Sequence, residues 1–102
     1  MIPKVTAAEA LAWIQEAMAQ GRYVVEPHLY RRMEERSITL RDVKRVISKA
    51  TPCVTYSPED GSKAGGTSWR VTGSDLSGSP TSVGVEAFTD HLGRRALLIT
   101  VF

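Results

Sequence analysis

Helical spacing governs this chain as far as Pro52, and strand alternation governs it from Cys53 onward. That change of period constrains the fold more than any other feature. Ahead of it, Thr6 with Glu9 three residues on reads as a capping box, which satisfies amide donors left free at a helix start. Ala10, Leu11, Ile14, Ala17 and Met18 follow at helical spacing, and Gly21 supplies the stop. The stretch "RYVVEP" reads as a short extended link, because the residue before Pro27 is pushed away from helical angles. Pro27 suits the first turn of a second helix running to about Arg36. Thr39 and Asp42 make another capping pair, and Ile38 can staple onto Val43. Val43, Val46, Ile47 and Ala50 then keep helical spacing until Pro52 closes the segment.

After that point "CVTYS", "SWRVTG", "SVGVEAF" and "ALLITVF" read as strands. They are separated by "PEDGSKAGG", "SDLSGSP" and "TDHLGRR", which carry the Gly, Pro, Asp and Ser of turns. Three helices followed by a meander of strands predict an α+β domain, with N-terminal helices packed on an antiparallel β-sheet of about four strands. A length of 102 residues suits a single domain over 1–102, with 1–52 its helical part and 53–102 its sheet. Residues 57–66 form one low-complexity loop, expected to be mobile.

Several classes fall away on simple grounds. No apolar run approaches the roughly 20 residues of a membrane span. The first segment carries charges inside its apolar pattern and lacks the apolar block of a signal peptide. The expected location is the cytoplasm, with no membrane partner. Cys53 is the only cysteine, which rules out an intramolecular disulfide and a thiolate metal cluster. Among strand formers it reads as a small buried hydrophobe.

Charge is uneven along the chain. Residues 22–49 hold eight Lys or Arg against four acids, net +4, in a protein whose formal net charge is +2. Such a basic segment on a near-neutral body fits a polyanion or an acidic protein. On a helix starting near Pro27, His28, Arg32 and Arg36 recur every four residues and form one stripe. Leu29 and Met33 form the adjoining apolar stripe, so the cations should emerge along the edge of a buried seam. A solvated or capping histidine among surface arginines is the competing reading. His91 reads as a turn residue, and Arg94 and Arg95 either widen a phosphate-binding surface or keep a hairpin soluble.

Strand alternation adds a second group. With Trp69, Val71, Val83, Val85, Ala87, Leu97, Ile99 and Val101 facing the core, the outer face offers Arg70, Thr72, Glu86 and Thr100 beside Phe88, Leu98 and Phe102. Such a face is either a binding surface or one covered by a helix or partner. Histidine and arginine together can support RNA transesterification. That reaction needs a base for the 2′-hydroxyl, cations on the phosphorane and an acid for the 5′-oxygen. Imidazole titrates near neutrality, and guanidinium braces phosphate with paired hydrogen bonds. This chemistry requires no metal.

The order "H-x-x-x-R-M-x-x-R-x-I-T-x-x-D-V", then "WRVTG-x-D-x-x-G", then a terminal "LLITVF" resembles the bacterial family catalogued as domain of unknown function 4258, over residues 25–102. The resemblance implies a RelE-like or barnase-like ribonuclease fold, and a toxin of a toxin–antitoxin pair. It matches His28, Arg32 and Arg36 to the helical motif, Arg70 to the central strand and Thr100 to the last strand. No lysine-and-tyrosine set like that of RelE-type enzymes is present, so their mechanism does not carry over.

The expected function is therefore a metal-independent endoribonuclease without cofactors, the toxin of a type II pair, cleaving mRNA. The catalytic candidates are His28, Arg32, Arg70 and Thr100, with Thr100 a phosphate or base contact rather than a nucleophile. Arg31, Arg36, Thr72 and Phe102 are the substrate-binding candidates. The expected partners are RNA and a cognate antitoxin, the latter simplest as an acidic segment over residues 28–45. The rival is a non-catalytic module using the same basic face for an acidic protein or nucleic acid.

Overall fold

The computed structural model describes residues 6–49, 54–55 and 66–102. Three helices, α1 (Ala7–Ala19), α2 (Pro27–Glu35) and α3 (Leu40–Ser48), accompany five strands, β1 (Tyr23–Val25), β2 (Val54–Thr55), β3 (Thr67–Ser74), β4 (Pro80–Asp90) and β5 (Gly93–Val101). The sheet runs β1-β5-β4-β3-β2, antiparallel except where β1 pairs parallel with β5. The expected α+β architecture of helices on a sheet is present. Two expectations change, because "RYVVEP" is a strand rather than a link and the sheet is mixed rather than wholly antiparallel. The helical part of the chain thus contributes the edge strand β1. Cys53 and nearly all of the 57–66 loop lie outside the described residues.

The caps follow their local chemistry. The Thr6 hydroxyl accepts from the Glu9 amide at 3.2 Å, one half of the expected box. Gly21 adopts φ +71°, and the Arg22 amide reaches back to the Ala17 carbonyl at 2.8 Å, closing α1 in the left-handed turn that favours glycine. Pro27 opens α2, whose cap is the Glu26 carboxylate accepting the His28 amide at 3.0 Å. Thr39 and Asp42 form a complete capping box on α3.

Helices cover one sheet face and share one hydrophobic core. Ala10, Ile14 and Ala17 of α1, Leu29 and Met33 of α2, and Val43, Val46 and Ile47 of α3 pack with Trp69, Val71, Val83 and Val85. The Trp13 indole pins α1 to β5 by donating to the Arg95 carbonyl at 2.9 Å. On β5 the inward residues are Ala96, Leu98 and Val101, not the expected Leu97 and Ile99. A bulge causes this. Gly84 pairs with Thr100 while Val85 pairs with Leu98, leaving Ile99 as an extra residue that reverses the phase.

Asp42 also ties α3 to the β3–β4 hairpin, accepting the Leu76 amide at 3.0 Å. The Thr39 amide foremost, then that of Leu76, holds its carboxyl below the ordinary 3.8. Asp42→Ala should cost about 1–2 kcal/mol at neutral pH, the range of a lost helix cap. A depressed folded pKa contributes stability that is complete above the unfolded value and lost as pH falls through the folded one. Urea titrations should therefore give a constant wild-type advantage near neutrality that shrinks below pH 3.8. An advantage undiminished at strongly acid pH would contradict the assignment.

Candidate functional site

Across the face turned away from the helices, β3, β4 and β5 place their residues in rows. Arg70 pairs with Gly84, and Gly84 pairs with Thr100. In the next row Thr72 pairs with Ser82, whose carbonyl accepts the Phe102 amide at 2.9 Å. At a strand spacing of about 4.8 Å, Arg70 and Thr100 stand about 10 Å apart. The residue between them, Gly84, has no side chain and is itself buried.

The row is ordered by its own contacts. The Arg70 guanidinium lies 4.5 Å from the centre of the Phe102 ring, a cation–π arrangement that limits its freedom. Thr72 and Ser82 share a hydrogen bond of 2.8 Å. Arg70 and Thr72 are exposed, while Thr100 and Phe102 are half-buried. The structure thus brings together four of the expected site residues: Arg70, Thr72, Thr100 and Phe102. Sequence reasoning missed Gly84 and Ser82, although an isolated glycine inside a strand pattern signals a close approach or an unfilled position.

Two of the remaining outer-face expectations, Leu98 and Glu86, are corrected, while Phe88 keeps its expected face. Leu98 faces the core because of the bulge. Glu86 is fully buried rather than surface-forming, and its Oε2 accepts the Gly66 amide at 3.0 Å. Half-buried Phe88 lies 6.0 Å beneath the Arg95 guanidinium.

Helix α2 carries the other group on the helix-bearing side of the sheet, so the structure does not bring that group onto the face that holds Arg70 and Thr100. It packs along β5, entered where the Glu26 amide donates to the Leu98 carbonyl at 2.9 Å. His28 and Arg32 share the flank beside the buried Leu29–Met33 seam, whereas Arg31 points from the solvated back. Arg36 is the C-cap residue, just beyond the helix. All four are exposed. Among the described residues their own side chains make no hydrogen bond or ion pair, and none joins them to the Arg70 row. No group of three His, Cys, Asp or Glu suited to a metal occurs among the described residues.

The hairpin arginines have structural tasks. Arg95 forms a 2.8 Å ion pair with Asp90, and the hydrogen bond from Arg95 is the main reason the Asp90 carboxyl sits below its ordinary value. Arg94 lies 4.8 Å over the Trp13 ring. His91 is an exposed turn residue, as expected.

Residues 25–102 match the family model described as Domain of unknown function (DUF4258). The match spans well over half of the chain, which belongs to that family. No curated protein and no solved structure gives a significant match. No helix among the described residues is long and apolar enough to cross a membrane.

Proposed function

We propose that the chain is an RNA-directed endoribonuclease of RelE-like or barnase-like fold that needs no metal. It acts as the toxin of a type II toxin–antitoxin pair whose antitoxin masks the site. The observation that carries this reading is the Arg70–Gly84–Thr100 row with Phe102 stacked under the guanidinium. A second support comes from removing the residues that have structural tasks. In the family-like motifs, Met33 and Val43 belong to the core, Thr39 and Asp42 cap α3, and Asp75 accepts the Ser77 and Ser79 amides. His28, Arg32 and Arg36 have no such task among the described residues.

In the proposed reaction the RNA 2′-oxygen attacks phosphorus while the bond from phosphorus to the 5′-oxygen breaks. The products are a 2′,3′-cyclic phosphate and a 5′-hydroxyl. Water takes the 2′-hydroxyl proton and a second water supplies that of the 5′-oxygen. Arg70 braces the phosphorane, Thr100 contacts phosphate or base, and Phe102 offers a stacking surface, while His28 and Arg32 hold RNA away from the scissile bond. Arg31, Arg36 and Thr72 hold the flanking strand.

The test is incubation of labelled RNA with purified protein and chelator. Cleavage to cyclic-phosphate ends should fall steeply in Arg70→Ala and persist in His28→Ala; its loss in His28→Ala would move the acid–base step to α2. Contacts to several phosphates also predict a steep, log-linear fall of affinity with salt, and a flat response would exclude nucleic acid. A second reading, a module that binds without cleaving, draws on the Arg70–Phe102 stack, which needs only to hold a base. Tight binding without product selects it.

A further inference from the structure

Strand β1 forms one edge of the sheet, and the chain runs alongside β5 from Arg22 to Glu26. The Ala96 amide donates to the Arg22 carbonyl at 3.2 Å, and the Glu26 amide donates to the Leu98 carbonyl at 2.9 Å. In a parallel ladder, alternate residues bond the same neighbour. The main-chain groups of Arg22, Val24 and Glu26 therefore turn toward β5, and those of Tyr23 and Val25 turn outward. Among the described residues nothing hydrogen-bonds these outward groups. The side chains of Tyr23 and Val25 pack against the core, so Arg22, Val24 and Glu26 belong to the other face. Val24 is 38% exposed there.

We infer that this edge pairs antiparallel with the same edge of a second copy of the chain, about a two-fold axis through Val24. The stretch "RYVVE" is complementary to itself in that register. Arg22 lies opposite the other copy's Glu26, Tyr23 opposite Val25, and Val24 opposite Val24. Tyr23 and Val25 exchange both main-chain hydrogen bonds, which satisfies the outward groups. Val24 meets its counterpart in the closer, non-hydrogen-bonded kind of pair, and the two cover each other's exposed surface. Arg22 and Glu26 fall in pairs of that same kind, where opposite charges attract. Both side chains are available. The exposed Arg22 guanidinium makes no hydrogen bond or ion pair among the described residues, and Glu26 caps α2 through Oε2, leaving Oε1. Any foreign strand could satisfy the main-chain groups. The face, however, asks for an acid, an apolar residue and a base at alternate positions, and this chain itself carries that order. The contact is isologous and joins two five-stranded sheets into one. Because β1 has three residues, the interface is small and the association depends on concentration. The inference does not depend on the nuclease reading.

Sedimentation velocity of the full chain over a wide concentration range should show a monomer–dimer equilibrium. Val24→Lys sets two ammonium groups together on the axis without touching the core, and should weaken the dimer about tenfold or more. Arg22→Glu and Glu26→Lys should each weaken it too. An equal mixture of those two should form a heterodimer, because every opposed pair is again of opposite charge. Glu26→Lys also loses the α2 cap, so circular dichroism checks its fold; should it fail to fold, Val24→Lys and Arg22→Glu decide. A wild-type chain that stays monomeric throughout would overturn the inference. A dimer indifferent to Val24→Lys and Arg22→Glu would do the same, as would folded charge variants that do not pair on mixing. Monomeric protein that binds an extended acidic peptide through these residues would assign the edge to another protein.

Discussion

Arg70→Ala is expected to lower RNA cleavage by about 100- to 1000-fold, the range for removing one preorganised donor that meets developing charge. Arg70 is exposed on β3, so its truncation removes no core packing. The 4.5 Å stack on Phe102 holds the guanidinium in place before substrate arrives, which is where the expected catalytic advantage originates. Arg70→Lys should recover only part of the loss, because an ammonium keeps the charge but neither the planar fork nor the stacking face. Denaturant midpoints of both variants should remain close to wild type. Full activity in Arg70→Ala would detach this strand from the chemistry.

Gly73→Ala carries a large expected effect on stability. Gly73 lies on β3 opposite Thr81, on the face that meets α3. A Cβ built there runs into the Val46 carbonyl, with Val46 Cα at 3.3 Å. Those are backbone atoms and cannot rotate aside, so α3 must lift from the sheet. Overpacking of this kind costs about 2–3 kcal/mol, which corresponds to a melting temperature lower by on the order of 10–20 °C for a domain this size. Ser74→Ala, one residue on and exposed, serves as the control and should change little. A Gly73→Ala protein that melts with wild type would mean that α3 does not seat so closely.

These two residues also mark how far the sequence could be read. The ends of the helices were legible because caps are local: Gly21, Pro27 and the Thr39–Asp42 pair each act within a few residues. Arg70 and Thr72 were legible because β3 alternates cleanly between an exposed and a buried face. The strand β1 was not, since three residues before Glu-Pro become a strand only by pairing with β5, some 70 residues away. The phase of β5 was equally hidden. "ALLITVF" is apolar on both faces, so its pattern cannot reveal that Ile99 is an extra residue. Thr100 and Phe102 kept their expected side because they lie beyond that bulge and share the phase of Val101. Glu86 was placed on the correct face but with the wrong exposure, because its burial goes with a distant donor, Gly66.

Helix α2 shows the same division. Its flank of His28 and Arg32 follows from helical spacing alone, and Leu29 and Met33 are buried as that spacing requires. How the flank meets the sheet depends on the tertiary link between Glu26 and Leu98, which no local pattern encodes. The proposed function rests on the Arg70–Gly84–Thr100 row, across the sheet from this flank.

The most direct measurement is an amide chemical-shift titration with a short RNA whose 2′-hydroxyls are methylated, so that it binds without being cleaved. The proposal predicts perturbations at Arg70, Gly84, Thr100 and Phe102 together with His28 and Arg32, all saturating at one ligand concentration. Shifts confined to α2, with the three-strand row unmoved, would contradict it.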